Sequence, residues 1–175
     1  MEYIDILNER GEKTGEIKSK EQVHIDGDWH RAVHVWIVNS SNEVLLQKRA
    51  KTKINYPDMW DISAAGHVSV GEGSVFSSLR EIEEEIGVIV DEKELVFIGE
   101  LISSSIQNNG TYINNEFNDV YLIKKDIPLE DMVKQDSEVD DLKYVSIEEF
   151  KEWIKNNNPD LVNHDEEFNL FFDSL

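Results

Sequence analysis

The stretch Gly66–Val88, GHVSVGEGSVFSSLREIEEEIGV, constrains this chain more than any other. Val75, Leu79, Ile82 and Ile86 recur at i, i+4, i+7 and i+11, which predicts a helix over Ser74–Ile86 with one apolar stripe for the core. At roughly 100° per residue, Glu81, Glu84 and Glu85 fall together on another face. Carboxylates gathered this way repel one another unless a cation sits among them. Hard divalent cations want oxygen ligands, and magnesium takes few carboxylates, keeping other positions for water and substrate phosphate. Arg80, four residues before Glu84, can orient it. Gly66, Gly71 and Gly73 permit unusual backbone angles and close approach to a ligand. Glu72 lies in that loop and can turn back toward the same cation, and Gly87 is placed as a C-cap. The plain alternative is a solvated acidic face, the usual fate of a charge run.

The spacing goes further than an acidic run requires. Five residues separate Gly66 from Glu72, and seven more separate Glu72 from Arg80. Glu81, an aliphatic residue, one further residue, Glu84, Glu85, one residue, Gly87 and an aliphatic residue follow. Every specified position of the Nudix box is filled, and the sequence resembles the Nudix superfamily. The resemblance implies an α/β fold, an α/β/α sandwich around a mixed β-sheet. It also implies Mg²⁺ as cofactor, with Mn²⁺ able to take its place, held by Glu81, Glu84 and Glu85 with Glu72 and the Gly66 carbonyl.

Composition narrows the partners. The formal net charge is −20, from 37 acids against 17 bases. Such a chain is unsuited to non-specific binding of nucleic acid or of an anionic membrane surface. An anionic substrate must therefore be received by bound metal and a few local Lys and Arg side chains. There is no cysteine, hence no disulfide, thiolate nucleophile or zinc–thiolate site. No apolar run approaches a membrane span, and MEYIDILNERGEK has no signal-peptide pattern. The expectation is a cytoplasmic protein whose partner is a small-molecule diphosphate. A homodimer is compatible with the sequence, since isologous dimers are common among soluble enzymes.

Along the chain, Met1–Lys18 reads as a hairpin turning at Asn8–Gly11. Ser19–Val23 reads as a short helix or turn. Ala32–Val38 and Glu43–Lys48 read as strands joined by a turn at Asn39–Asn42, and Lys51–Pro57 as a basic loop. Trp60–Ala64 reads as one short strand feeding the glycine loop. Leu95–Leu101, Glu116–Lys124 and Leu142–Ser146 are expected strands, with a turn at Gln107–Gly110. Ser146 is an N-cap with Glu149 three residues on, for a helix over Ile147–Asn156 that ends before Pro159. Glu166–Ser174 reads as a last amphipathic helix. Strands around a central and a late helix agree with the sandwich. One domain over residues 1–175 suffices, with an N-terminal hairpin extension over about residues 1–30.

The resemblance reaches beyond the box. LNERGEKTG, WHRAVHVWIVN, LLQKR and YPDMWDISAAGHV look like the Nudix branch related to type I isopentenyl-diphosphate isomerase. That branch holds two activities, isomerisation of an isoprenoid diphosphate and hydrolysis of diphosphate bonds. The isomerases use a cysteine at the position of Ala65, as one of two acid/base groups on opposite faces of the substrate. Its absence, with a complete box arginine and glutamate set, favours hydrolysis. A third class, a ligand-sensing Nudix domain with little turnover, fits a complete box less well.

Several residues carry two readings. The isomerases bind a divalent metal through histidines, and His24, His30 and His67 match those places. Imidazoles with carboxylates can hold manganese or zinc; otherwise His30 and His34 make structural hydrogen bonds and His67 is a loop residue near phosphate. Glu116 matches a catalytic, metal-binding glutamate of the isomerases, or is a strand-end surface acid. Glu138 lies in the late loop where several Nudix hydrolases keep a general base, or is one more acid in an acidic loop. Lys48, Arg49, Lys51 and Lys53 form the one dense basic patch and can contact phosphate, or are solvated surface. Tyr56, Trp60, Tyr112 and Phe117 can stack on the organic group, or belong to the core. The expected reaction is attack of water on one phosphorus of an organic diphosphate. Glu84, Glu85, Glu116 or Glu138 accepts the proton, and Arg80 orients the helix carboxylates.

Overall fold

The computed structural model describes residues 1–175. The strands are β1 (Tyr3–Leu7), β2 (Lys13–Ser19), β3 (Trp29–Val38), β4 (Glu43–Arg49), β5 (Trp60–Asp61), β6 (Ala64–His67), β7 (Val96–Gln107), β8 (Tyr112–Lys124) and β9 (Val139–Ser146). The helices are α1 (Lys20–Asp26), α2 (Ser74–Ile86), α3 (Ile147–Lys155) and α4 (Asp165–Asp173). All nine strands join one mixed sheet, and helices cover both faces, giving the α/β/α sandwich.

The trunk of the sheet is β3. It runs parallel to β8 over its whole length, from Trp29↔Asn115 to Val38↔Lys124. On its other side Ala32–Val35 pair antiparallel with β6. It also meets β1 at Leu7↔Trp29 and β4 at Val38↔Val44. Strand alternation sorts its side chains. Val33, Val35 and Ile37 lie in one core with Ile82 and Ile86 of α2. Trp36 lies in the other core with Phe150 of α3 and Phe168 and Phe171 of α4. Ala32 and His34 share the Trp36 face but precede it, where α3 and α4 no longer cover the sheet, while His30, nearer the strand start, is buried against His24 of α1.

Local chemistry places the helices. Gly87 caps α2 with φ 70°, and an added Cβ there would meet Val133 backbone oxygen at 2.7 Å. Ser146 accepts the Glu149 N–H at 3.1 Å and starts α3. α4 docks through Phe171, which is fully buried and stacks on Trp36 with ring centroids 4.4 Å apart. None of the helices is long and apolar enough to cross a membrane.

Two elements depart from the sequence expectation. Trp60–Ala64 is not one strand: β5 pairs with β4 and β6 with β3, so the chain changes partner at Ile62–Ser63. Ser63 bridges the change, donating to Leu45 O at 2.6 Å and accepting the Ile37 N–H at 2.9 Å. The β7–β8 hairpin is longer than expected, because Ser103–Gln107 and Tyr112–Asn115 pair in register despite their low β-propensity.

Phe171→Ala should destabilise the fold by about 3–5 kcal/mol, the usual cost of emptying a buried aromatic site. Urea unfolding followed by tryptophan fluorescence measures it.

Candidate active site

One large open pocket of about 1130 Å³ lies where α2, the uncovered end of the sheet, the 49–56 loop and the start of α4 meet. It gathers Arg49, Lys53, Gly66, His67, Glu72, Arg80, Glu81, Glu84, Glu85, Glu116 and Glu138. Of the acidic and basic candidates from the sequence, Lys48 and Lys51 are missing from it, as are His24 and His30. Lys48 belongs elsewhere: β4 alternation points it away from Gln47 and Arg49, and its ammonium pairs with Asp58 at 3.0 Å beside the Trp60 ring. Trp60 and Phe117 also lie outside the pocket, whereas Tyr56 and Tyr112 line it.

The α2 carboxylates are held by a small set of donors. Arg80 donates to Glu72 at 3.1 Å, Glu81 at 2.7 Å, Glu84 at 3.2 Å and the His67 carbonyl at 3.0 Å. Ser77 donates to Glu72 at 2.7 Å. Gln47 and the Ala65 N–H donate to one oxygen of Glu85, at 2.8 and 3.1 Å. Each of these four carboxylates keeps one oxygen with no protein donor. Gly66 packs directly against the Glu81 carboxyl, which an added Cβ would displace. Burial raises Glu81 to about 7 against the pull of Arg80. Burial and the neighbouring Glu81 charge raise Glu85 to about 8. Spare oxygens on crowded, partly desolvated acids suit a hard divalent cation, so these residues fit Mg²⁺.

A second cluster sits on the sheet. His24, His30, His67 and Glu116 bring one ligand atom each within 4.8 Å of one another. His24 Nδ1 and His30 Nδ1 donate to the carbonyls of Lys20 at 2.6 Å and Asp28 at 2.9 Å. Their Nε2 atoms are buried without a hydrogen-bond partner. His30 Nε2 and His67 Nε2 lie 3.4 and 3.5 Å from Glu116 Oε1. Burial lowers His24, and lowers His67 to about 4. Glu116 is held well below the usual carboxylate range, because the imidazoles outweigh its burial. Two imidazoles fixed through Nδ1 to carbonyls, with a third imidazole and a carboxylate beside them, suit a transition-metal cation such as Mn²⁺ or Zn²⁺.

The family follows from a match to the NUDIX domain over residues 28–166. The chain belongs to the Nudix family. Nudix hydrolase 3 of Arabidopsis thaliana is 44% identical over 181 residues, covering 99% of this chain and 23% of that protein. This Nudix chain thus spans less than a quarter of the plant protein's length. Isopentenyl-diphosphate Delta-isomerase 1 of Photorhabdus laumondii is 29% identical over 158 residues, covering 90% of this chain and 86% of the isomerase. A crystal structure from Deinococcus radiodurans superposes with a TM-score of 0.68 at 21% identity, covering 97% of both chains, and shares the fold.

Among the other pocket residues, Asp61, His164 and Glu167 gave no sequence signal. Lys53 pairs with Glu138, and Arg49 donates to Asp61 at 3.0 Å. His164 Nε2 donates to the other Asp61 oxygen at 2.8 Å. His34 Nδ1 donates to Glu167 at 2.7 Å, and Trp36 Nε1 donates to the second Glu167 oxygen at 2.8 Å. Glu167 reads as one surface acid of an amphipathic helix, yet it is 4% exposed and satisfied by two residues of β3. Burial would lower His34, but Glu167 outweighs it and raises the imidazole to about 9. The same pairing lowers Glu167 against its burial.

These shifts set a pH window. His34 is raised, so its contribution to stability is full below its ordinary value of about 6.5 and lost as pH rises through about 9. Glu167 is lowered, so its contribution is full above its ordinary 4.5 and lost as pH falls below that. The stability gap between wild type and His34→Gln, which cancels the titration of the other acids, should narrow from pH 6.5 to 9.5. Urea midpoints across that range measure it.

Proposed function

We propose that this chain is a divalent-cation-dependent diphosphohydrolase, cleaving the diphosphate bond of a nucleoside diphosphate derivative or another polar organic diphosphate. The observation that carries the reading is the arrangement around α2: four carboxylates, each with a spare oxygen, three gripped by Arg80 and Glu85 held by Gln47 and the Ala65 N–H, with Gly66 packed against Glu81. Bound Mg²⁺ supplies charge neutralisation of the diphosphate and a water of lowered pKa. Arg80 fixes the carboxylates in place before substrate arrives, so little reorganisation is needed. Gln47 and the Ala65 N–H tie one oxygen of Glu85 to the sheet and leave the other aimed outward.

Proton removal from the attacking water falls to Glu84 or Glu85. Glu138 is engaged by Lys53, and Glu116 sits among imidazoles. The polarity of the pocket favours a hydrophilic organic group, since ten of its 41 lining residues are hydrophobic. The His24, His30, His67 and Glu116 cluster is a second cation position, nearer the end of the sheet. It also favours a second reading, an isomerase-like enzyme, against which stands the methyl group of Ala65 where that chemistry needs an acid/base.

A phosphate-release screen over a panel of organic diphosphates, with and without Mg²⁺, tests the proposal. At least one nucleoside diphosphate derivative should turn over only with the metal. Glu85→Gln should lower kcat/KM by about 100-fold or more while circular dichroism stays unchanged; near-wild-type turnover in that variant would sink the assignment. Isopentenyl diphosphate incubated with enzyme in D₂O should show no label at carbon by NMR, and label appearing with turnover would favour the isomerase-like reading.

A further inference from the structure

Among the ionisable groups of the pocket that the reaction above does not use, His34 stands out; His164 lies beside it, with ring centroids 5.6 Å apart, and is itself committed to Asp61. His34 lies on β3, two residues from Ala32 on the same face and directly across from Ala65 on β6. Its Nδ1 is committed to Glu167, and Trp36 holds the far oxygen of that carboxylate, which orients the ring. Its Nε2 has no protein partner and is not occluded: His34 lines the pocket, and Nε2 is absent from the buried unpartnered atoms. The alanine methyls of Ala32 and Ala65 flank the ring on the floor. A carboxylate-anchored imidazole with its second nitrogen open to a substrate pocket is an arrangement built to present a hydrogen bond.

The neighbourhood says to what. Ala65 is both the strand partner of His34 and the donor to Glu85. His34 and the α2 carboxylates Glu81, Glu84 and Glu85 line the same pocket, with Ala65 between them. The Lys and Arg side chains lining the pocket are already paired: Lys20 with Glu2, Arg49 with Asp61, Lys53 with Glu138, and Arg80 with the box acids. Glu167 holds the His34 ring cationic at neutral pH.

We propose that His34 is a phosphoryl-binding residue of this pocket, its Nε2–H donating to an oxygen of the substrate diphosphate, with Glu167 as its positioning residue. The inference rests on the diphosphohydrolase reading and assigns part of the substrate's anchoring to a side chain outside the box.

Methylene diphosphonate, which has no organic group and no cleavable bridge, is titrated with Mg²⁺ into the full chain. Calorimetry and histidine side-chain ¹⁵N NMR follow the binding. The His34 Nε2 resonance should move on saturation, and His34→Gln, which still offers Glu167 a hydrogen bond, should weaken Kd about tenfold. Glu167→Gln should weaken it too, and the affinity should then fall at a lower pH than in wild type. A resonance that stays put on saturation, or an unchanged Kd in folded His34→Gln, overturns the proposal and leaves the hydrolase reading intact. Should His34→Gln not fold, the wild-type resonance alone decides. No binding of diphosphonate by wild type with Mg²⁺ overturns both.

Discussion

The parallel pairing of β3 with β8 is the interaction on which the rest depends. It is non-local, joining Trp29–Val38 to Asn115–Lys124, and it carries both cores and the pocket floor. Because side chains alternate, one face of β3 is bound to α2 by Val33, Val35 and Ile37. The other face changes character along its length. At Trp36 it is roofed by α3 and α4; at His34 and Ala32 it lines the pocket; at His30 it is buried against α1. The pocket is thus the part of a core face that no helix covers, and its chemistry is that of the residues which replace the apolar ones there.

Electrostatics explains why such a floor can work in a chain of net charge −20. Acids in the pocket are disposed of in three ways. Glu167, Asp61 and Glu138 are paired with a basic side chain. Glu116 sits among imidazoles. The α2 set is only partly compensated, because one guanidinium serves Glu72, Glu81 and Glu84 and none reaches Glu85. The uncompensated remainder is concentrated at one place, where a divalent cation gains most. Spreading the same acids evenly over the surface would cost less and bind nothing.

How much of this was legible in the sequence follows from distance along the chain. α2 was read to the residue, since its stripe, its Arg80–Glu84 pair and its Gly87 cap are all local. Most of β3 was readable as a strand, from Ala32 to Val38, and so was the Ser146 cap. The break between β5 and β6 was not, because it reflects a change of partner strand, signalled only by Ser63 bonding to residues far away. Lys48 was misplaced because a basic run on a strand sends neighbours to opposite faces, and composition does not say which face holds the pocket. Glu167 was invisible: 133 residues separate it from His34, and an acid on an amphipathic helix gives no sign that it points inward.

Ala65 ties these threads together. In sequence it is alanine where the isomerases that this chain resembles carry a thiol. In the structure its N–H holds Glu85, and its strand partner His34 faces the same floor. A thiol is one way to put a proton carrier at this spot; an imidazole anchored one strand over is another way to put a donor there, but with a different aim. A cysteine on β6 would act on the carbon skeleton of a bound isoprenoid. A cationic ring held by a carboxylate is better matched to phosphoryl oxygen, whose negative charge it complements. The substitution at 65 and the dyad at 34 and 167 therefore point the same way, toward a floor that serves the diphosphate rather than the organic group.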